Sequence, residues 1–284
     1  MSALLTALDR PAPIVLAPTG MVPTRAMTPH VPLTPDEIAR DVAEAASLGI
    51  TSVHLHARDD DGVPTWDRET YARIVGAVRE QSPDVLVNVS TSGRTWSDLE
   101  KRADCLALDG DLKPDLASLT LSSLNFVTGP SVNGPDVIIG LATIMLDRGI
   151  VPELEIFDLG MLNYVHVLAR KGLLPGPVVA NLFFGNVAGM QATLPEVGLA
   201  IERLTEGAIW SGAGLGDYQL TAQSLSIAAG GGVRVGLEDG IYYDRERTVL
   251  ATNSMLVERV HRLLDLHGRR AMTPGELRAD LKSG

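Results

Sequence analysis

A chain of 284 residues with 45% apolar side chains has ample material for a buried core, and α/β barrels of this length fold as one unit. Its formal net charge of −11 argues against nucleic acid, which is held by clustered lysine and arginine, but leaves room for a small anionic molecule bound by a few local cations. No apolar run reaches the ~20 residues that span a bilayer, the first ten residues lack the basic and long apolar segments of a signal peptide, and the one cysteine, Cys105, excludes an intramolecular disulfide framework, so a cytoplasmic protein with no membrane partner is expected.

Short runs rich in Val, Ile and Leu recur near 13–17, 52–57, 85–90, 116–122, 153–158, 178–183, 208–212 and 233–238, separated by amphipathic helical stretches. Strands alternating with helices imply a parallel sheet, and eight such units without a composition break imply a closed (β/α)8 TIM barrel spanning 1–284 as a single domain. The first loop carries Val22 and Arg25; Arg58 and Arg94 follow the second and third strands. Thr34-Pro35-Asp36-Glu37 offers an N-cap, a proline at the first helical position and a capping-box glutamate, and the helix ends near Leu48 before Gly49.

The second strand holds His54 and His56. Residues two apart on a strand share a face, about 6.5–7 Å from each other, where two imidazoles can converge on one metal ion. On the third strand Val85, Val87 and Val89 face the helices, leaving Leu86, Asn88 and Ser90 inside; Ser90-Thr91-Ser92-Gly93 continues as a small polar loop suited to a carboxylate. The fourth strand alternates Ser118, Thr120 and Ser122 with leucines, and the fifth puts Glu153 and Glu155 on one face. Gly185 and Gly189 make the loop 184–190 an entry for a long substrate or a plain flexible connection. Thr193 to Glu196 repeats the cap-and-glutamate pattern.

On the eighth strand, alternation sends Val233, Val235 and Leu237 to the helices and Arg234, Gly236 and Glu238 into the barrel, with Gly236 leaving space beside the axis. A charge inside a barrel is costly unless paired or metal-bound, which gives Glu238 the position of a third ligand beside His54 and His56. Thr273-Pro274-Gly275-Glu276 opens a short extra C-terminal helix, expected outside the barrel. His166, His261 and His267 fall in helical segments and His30 in a proline-rich loop. A His-x-His pair alone is more often packing than chemistry, and Arg234 with Glu238 alone would be an internal ion pair. Two alternatives stay open from these residues: a metal-dependent hydrolase of the amidohydrolase type, which needs further histidines at later strand ends, and a non-catalytic metal- or ligand-binding barrel.

Ala17-Pro18-Thr19-Gly20, the segments 31–38 and 53–59, 87–93, 119–126, 152–158 and 233–239 together resemble, in order, the β-keto acid cleavage enzymes. The resemblance implies a zinc-dependent TIM barrel that condenses a β-keto acid with acetyl-CoA to give acetoacetate and a new CoA ester. It implies His54, His56 and Glu238 as zinc ligands, Asp239 as general base beside Arg234, and Ser90 and Gly93 as holders of the substrate carboxylate. Thr120 is the fourth-strand hydroxyl it points to, and a homotetramer the expected assembly. Where the family member acting on an amino-bearing keto acid has a glutamate in the first loop, this chain has Val22, which implies a neutral or apolar substrate.

Overall fold

A computed structural model describes residues 8–282; most of the N-terminal segment read above for the lack of a signal peptide lies outside them. Eight parallel strands close a barrel: β1 (Ile14–Leu16), β2 (Ser52–Leu55), β3 (Leu86–Val89), β4 (Leu116–Thr120), β7 (Val151–Ile156), β8 (Val179–Phe184), β9 (Ile209–Gly214) and β10 (Gly232–Val235). Their order is β1-β10-β9-β8-β7-β4-β3-β2, with β1 also paired to β2. The expected (β/α)8 architecture is thus present, with helices α1 (Pro35–Leu48), α2 (Arg68–Gln81), α3 (Leu99–Ala103), α4 (Pro135–Arg148), α5 (Leu159–Arg170), α6 (Leu194–Glu202) and α7 (Gln219–Ala228) connecting the strands and α8 (Asn253–Leu266) following the last of them. No helix among the described residues is long and apolar enough to cross a membrane.

Alternation works as expected on β3, where Val87 and Val89 join Val53, Leu55 and the helix faces in the main core. At the head of α1, Thr34 Oγ1 accepts from the Glu37 N–H while Glu37 returns the bond to Thr34 N–H, and Gly49 closes the helix at φ 101°. A smaller cluster of Leu86, Leu116 and Val179 at the N-terminal end of the barrel is covered by Met272 and Leu277 of the C-terminal helix α9 (Pro274–Lys282) and the segment before it. That helix therefore plugs the barrel floor rather than lying on its flank, because its leucine has an apolar floor to cover.

Two local departures shape the mouth. An antiparallel hairpin, β5 (Leu124–Phe126) and β6 (Gly129–Ser131), follows β4 where a continuous strand to residue 122 was expected; it pairs with no barrel strand. The eighth strand stops at Val235, short of Glu238, because Gly236 takes φ 152° and lies against the β1 backbone. A Cβ there would strike the Ala17 carbonyl, so the glycine serves a close backbone approach and not space at the axis. Ala17 N–H donates to Val235 O at 2.8 Å and Glu238 N–H to Ala17 O at 3.2 Å on either side of it.

Candidate active and metal site

His54 and His56 are buried side by side at the C-terminal end of β2, and their Nε2 atoms lie 3.1 Å apart. Glu238 reaches them from the turn after β10, with Oε1 3.2 Å from His56 Nε2 and Oε2 4.0 Å from His54 Nε2. One ligand atom from each of the three lies within 4.8 Å of the others, the convergence that one small cation requires. Burial, then the Arg234 charge, pushes His54 well below the ordinary histidine range, so this ring is neutral at neutral pH and its lone pair is available.

Arg234 is fully buried and lies under this cluster. Its Nη2 is 2.7 Å from Glu238 Oε1 and its Nε donates to Asp239 Oδ2 at 3.0 Å. The turn that Gly236 begins brings the adjacent residues 238 and 239 onto one guanidinium, which regular alternation would have sent to opposite faces. Burial raises the Glu238 carboxyl, but Arg234 and the two histidines outweigh it and hold it well below the usual range. For Asp239 burial wins against Arg234, aided by the Glu238 charge, and lifts the carboxyl to about 6.

Glu153, buried on β7, accepts a hydrogen bond from Asn88 Nδ2 and sits 4.0 Å from His54 Nδ1. Burial lifts it to about 7, with Arg234 opposing and Glu155 reinforcing. Glu155, two residues on, accepts from Thr120 Oγ1 at 2.6 Å, across the register that pairs β4 with β7.

A cavity opens above these groups. His56, Ser90, Thr120, Glu155, Arg234, Glu238 and Asp239 face it, together with Val22 and Met21 of the first loop. The sequence-derived residues therefore converge, with one exception. Gly93 does not line the cavity; its α-carbon is packed against Val132, Arg102 and Asn133, leaving no room for a side chain. The loop 184–190 lines neither this cavity nor the one adjoining it at Val22, Glu238 and Asp239; it is tied down by bonds from Asn186 and Gln191 side chains.

The three arginines after strand ends have separate fates. Arg25 is exposed and pairs with Glu37 at 2.5 Å, and Arg58 spends its guanidinium on the carbonyls of Gly20, Pro23 and Gly62. Arg94 faces the cavity. His30 and His166 are exposed, and none of the remaining histidines joins the metal cluster among the described residues, so the extra ligands of an amidohydrolase-type site are absent there. Sequence reasoning missed the cavity's aromatic wall. Phe126, Phe157 and Phe183 come from the hairpin, the end of β7 and β8, and only tertiary structure brings them together.

Fold and site define a β/α barrel whose mouth brings together three side chains able to hold a metal ion and a buried arginine–carboxylate pair. The profile of the beta-keto acid cleavage enzymes matches residues 11–282. The chain is 37% identical over 268 residues to a 3-keto-5-aminohexanoate cleavage enzyme of Fusobacterium nucleatum subsp. nucleatum, covering 93% of this chain and 95% of that one. It is 34% identical over 275 residues to a 3-oxoadipate:acetyl-CoA acetyltransferase of Cupriavidus necator, covering 96% and 95%. Among solved structures, ObcA superposes with a TM-score of 0.79 at 22% identity over 89% of this chain and 66% of its own, a likeness of fold. The chain belongs to the β-keto acid cleavage enzyme family, and is an enzyme of that family.

Proposed function

We propose that the protein is a zinc-dependent enzyme that condenses a β-keto acid with acetyl-CoA, yielding acetoacetate and the CoA ester of the remaining acyl chain. The observation that carries this reading is Arg234 bridging Glu238 of the metal cluster and Asp239 beside it. The residues fit zinc: two imidazole nitrogens and a carboxylate make a three-ligand set with an open position. Glu238 Oε2 is buried without a hydrogen-bond partner, as a donor atom in want of a cation would be. Bound there, zinc would supply Lewis-acid polarisation of the substrate's keto oxygen.

The chain's own groups supply the rest. Asp239, lifted to about 6, is ionised at neutral pH yet basic enough to take a proton from the methylene between the substrate's keto and carboxylate groups, whose carbon then attacks the acetyl thioester carbonyl. Arg234 fixes its orientation through the Nε–Oδ2 bond. Ser90, with the backbone leading to Gly93, holds the reacting carboxylate, and Thr120, oriented by Glu155, offers a hydroxyl to the same substrate. Val22 at the cavity edge gives an ammonium group no partner, and by itself favours a neutral or apolar acyl chain. The same reading makes the protein a single-domain, cytoplasmic homotetramer.

The test is turnover. Purified, zinc-loaded protein is incubated with acetyl-CoA and a panel of β-keto acids, and acetoacetate and the new CoA ester are measured by mass spectrometry. Formation of both in equal amounts supports the assignment. Acid or ammonia released from amides without CoA would indicate a hydrolase, and full zinc occupancy without turnover of any keto acid a binding barrel.

A further inference from the structure

The cavity contains a cation that the chemistry above does not use. Arg94 follows the loop that begins at Ser90, and its guanidinium carbon lies 3.7 Å from the centre of the Phe126 ring. That guanidinium makes no hydrogen bond and no ion pair with any described residue; only its backbone N–H is engaged, with Ser92 Oγ. Other arginines near the mouth are spent. Arg58 binds three carbonyls, Arg102 binds Thr91 O, Val132 O and Asn133 Oδ1, and Arg234 is matched by two carboxylates.

The carboxylates whose charges act on Arg94 are Glu238, Glu155 and Asp239, and each has a nearer partner. Phe126 meets Phe157 edge-on at 5.6 Å, Phe157 stacks on Phe183 at 4.4 Å, and Arg234 lies over Phe183 at 5.0 Å. The three rings form one wall with a guanidinium at each end. The Arg234 end carries the candidate metal ligands and the base; the Arg94 end carries a half-buried positive charge that no carboxylate among the described residues meets by a hydrogen bond or an ion pair. Taking a cation out of water is unfavourable unless an anion meets it, and a planar guanidinium on a ring face leaves its N–H edge open to a carboxylate.

We propose that Arg94 receives a second carboxylate at the far end of the acyl chain, so that the preferred substrate is a β-keto diacid. This rests on the proposed reaction and narrows its substrate class. Val22 turns away a cation; Arg94 goes further than the uncharged chain that Val22 alone favours, because it calls for an anion. With a six-carbon diacid the carboxymethyl end leaves in acetoacetate, joined to the acetyl carbons, and the CoA thiol is transferred to the former keto carbon. The product is the mono-CoA ester of butanedioic acid.

A matched pair of probes tests this: 3-oxohexanedioate and 3-oxohexanoate have the same chain and differ in a terminal carboxylate or methyl. Wild-type enzyme should favour the diacid in kcat/KM by roughly 10- to 100-fold, the worth of one charge-assisted pair. Arg94→Met should remove most of that ratio through KM for the diacid, and Arg94→Lys, which keeps the charge without the fork, should restore part of it. Equal use of the two probes by wild type would overturn the proposal. So would an Arg94→Met defect of the same size on both, which would put Arg94 on the reacting carboxylate, or one confined to KM for acetyl-CoA. Calorimetric binding of both probes to the zinc-loaded protein, without acetyl-CoA, is measured alongside. If no keto acid turns over but the diacid binds more tightly and loses that advantage in Arg94→Met, the reaction is wrong and the anion site stands; no difference in binding overturns the site itself.

Discussion

Arg234→Met removes the one cation that two buried carboxylates share. Its side chain is 1% exposed and its contacts to Glu238 and Asp239 are 2.7 and 3.0 Å, so solvent cannot replace it. Breaking a buried pair by deleting one partner costs about 3–5 kcal/mol, which for a chain of this size lowers Tm on the order of 10 °C. Without the guanidinium, burial and mutual repulsion raise both carboxyls above their unfolded values. The native state then binds more protons than the unfolded chain near neutrality, so the variant gains stability as pH falls and its deficit against wild type shrinks from pH 7 towards pH 5. A zinc ion on Glu238 supplies part of the lost charge, so the deficit should be larger in chelated protein than in zinc-loaded protein. Calorimetric melts of both proteins across this pH range, with and without chelator, give all three comparisons. A deficit independent of pH and of metal would mean that Arg234 stabilises through packing alone, and would refute the reasoning.

Other outcomes follow from the same groups. His54→Ala or His56→Ala should strip zinc, read by elemental analysis, with far-ultraviolet circular dichroism unchanged, because two donors remain where three are needed; full occupancy in both variants would displace the ligand assignment. Asp239→Asn should retain zinc and lose roughly 100-fold or more in kcat, since the amide cannot accept a proton; a wild-type kcat would place the base elsewhere. Val22→Glu should move kcat/KM towards amino-bearing keto acids, and unchanged preference would show that residue 22 does not contact the acyl end. At the head of α1, burial raises Glu37 but the Thr34 N–H and Arg25 outweigh it and hold the carboxyl at about 2. Its contribution is fully present above the unfolded value near 4.5 and declines as pH falls towards and through about 2, so Glu37→Gln should lower Tm at pH 7 by a few degrees at most, with the gap shrinking steadily from pH 4.5 to pH 2. A gap of unchanged size at pH 2 would assign the loss to something other than the charge.

The barrel was legible because its signals are local. Val85, Val87 and Val89 alternate, Thr34 and Glu37 sit three apart, and Gly49 closes a helix, each within one turn or strand of sequence. The convergence of His54, His56 and Glu238 was legible because His54 and His56 neighbour one another at the end of one strand and Glu238 lies just past another strand's end. What sequence could not convey was a change of backbone course. Gly236 was read as open space, whereas its positive φ and its contact with Ala17 end the strand and set Asp239 beside Glu238. Nor could it convey the role of Arg94, since its meaning depends on Phe126 beneath it and on the absence of a carboxylate partner among the described residues. Likewise the C-terminal helix showed its cap in sequence, but the floor it covers is built from three separate strands.

The hairpin after β4 is hydrogen-bonded to itself and to no barrel strand, yet it delivers Phe126 and Ser131 to the cavity. The reacting end and the acyl end of the pocket are thus supported by different parts of the chain, one by the closed ladder and one by an appendage. Insertions or substitutions in residues 124–131 can reshape the far wall while leaving the β2 and β10 backbone undisturbed. Under the proposed reaction, such a division lets the preference for one acyl chain over another be altered by editing a surface loop, without touching His54, His56, Glu238 or Asp239.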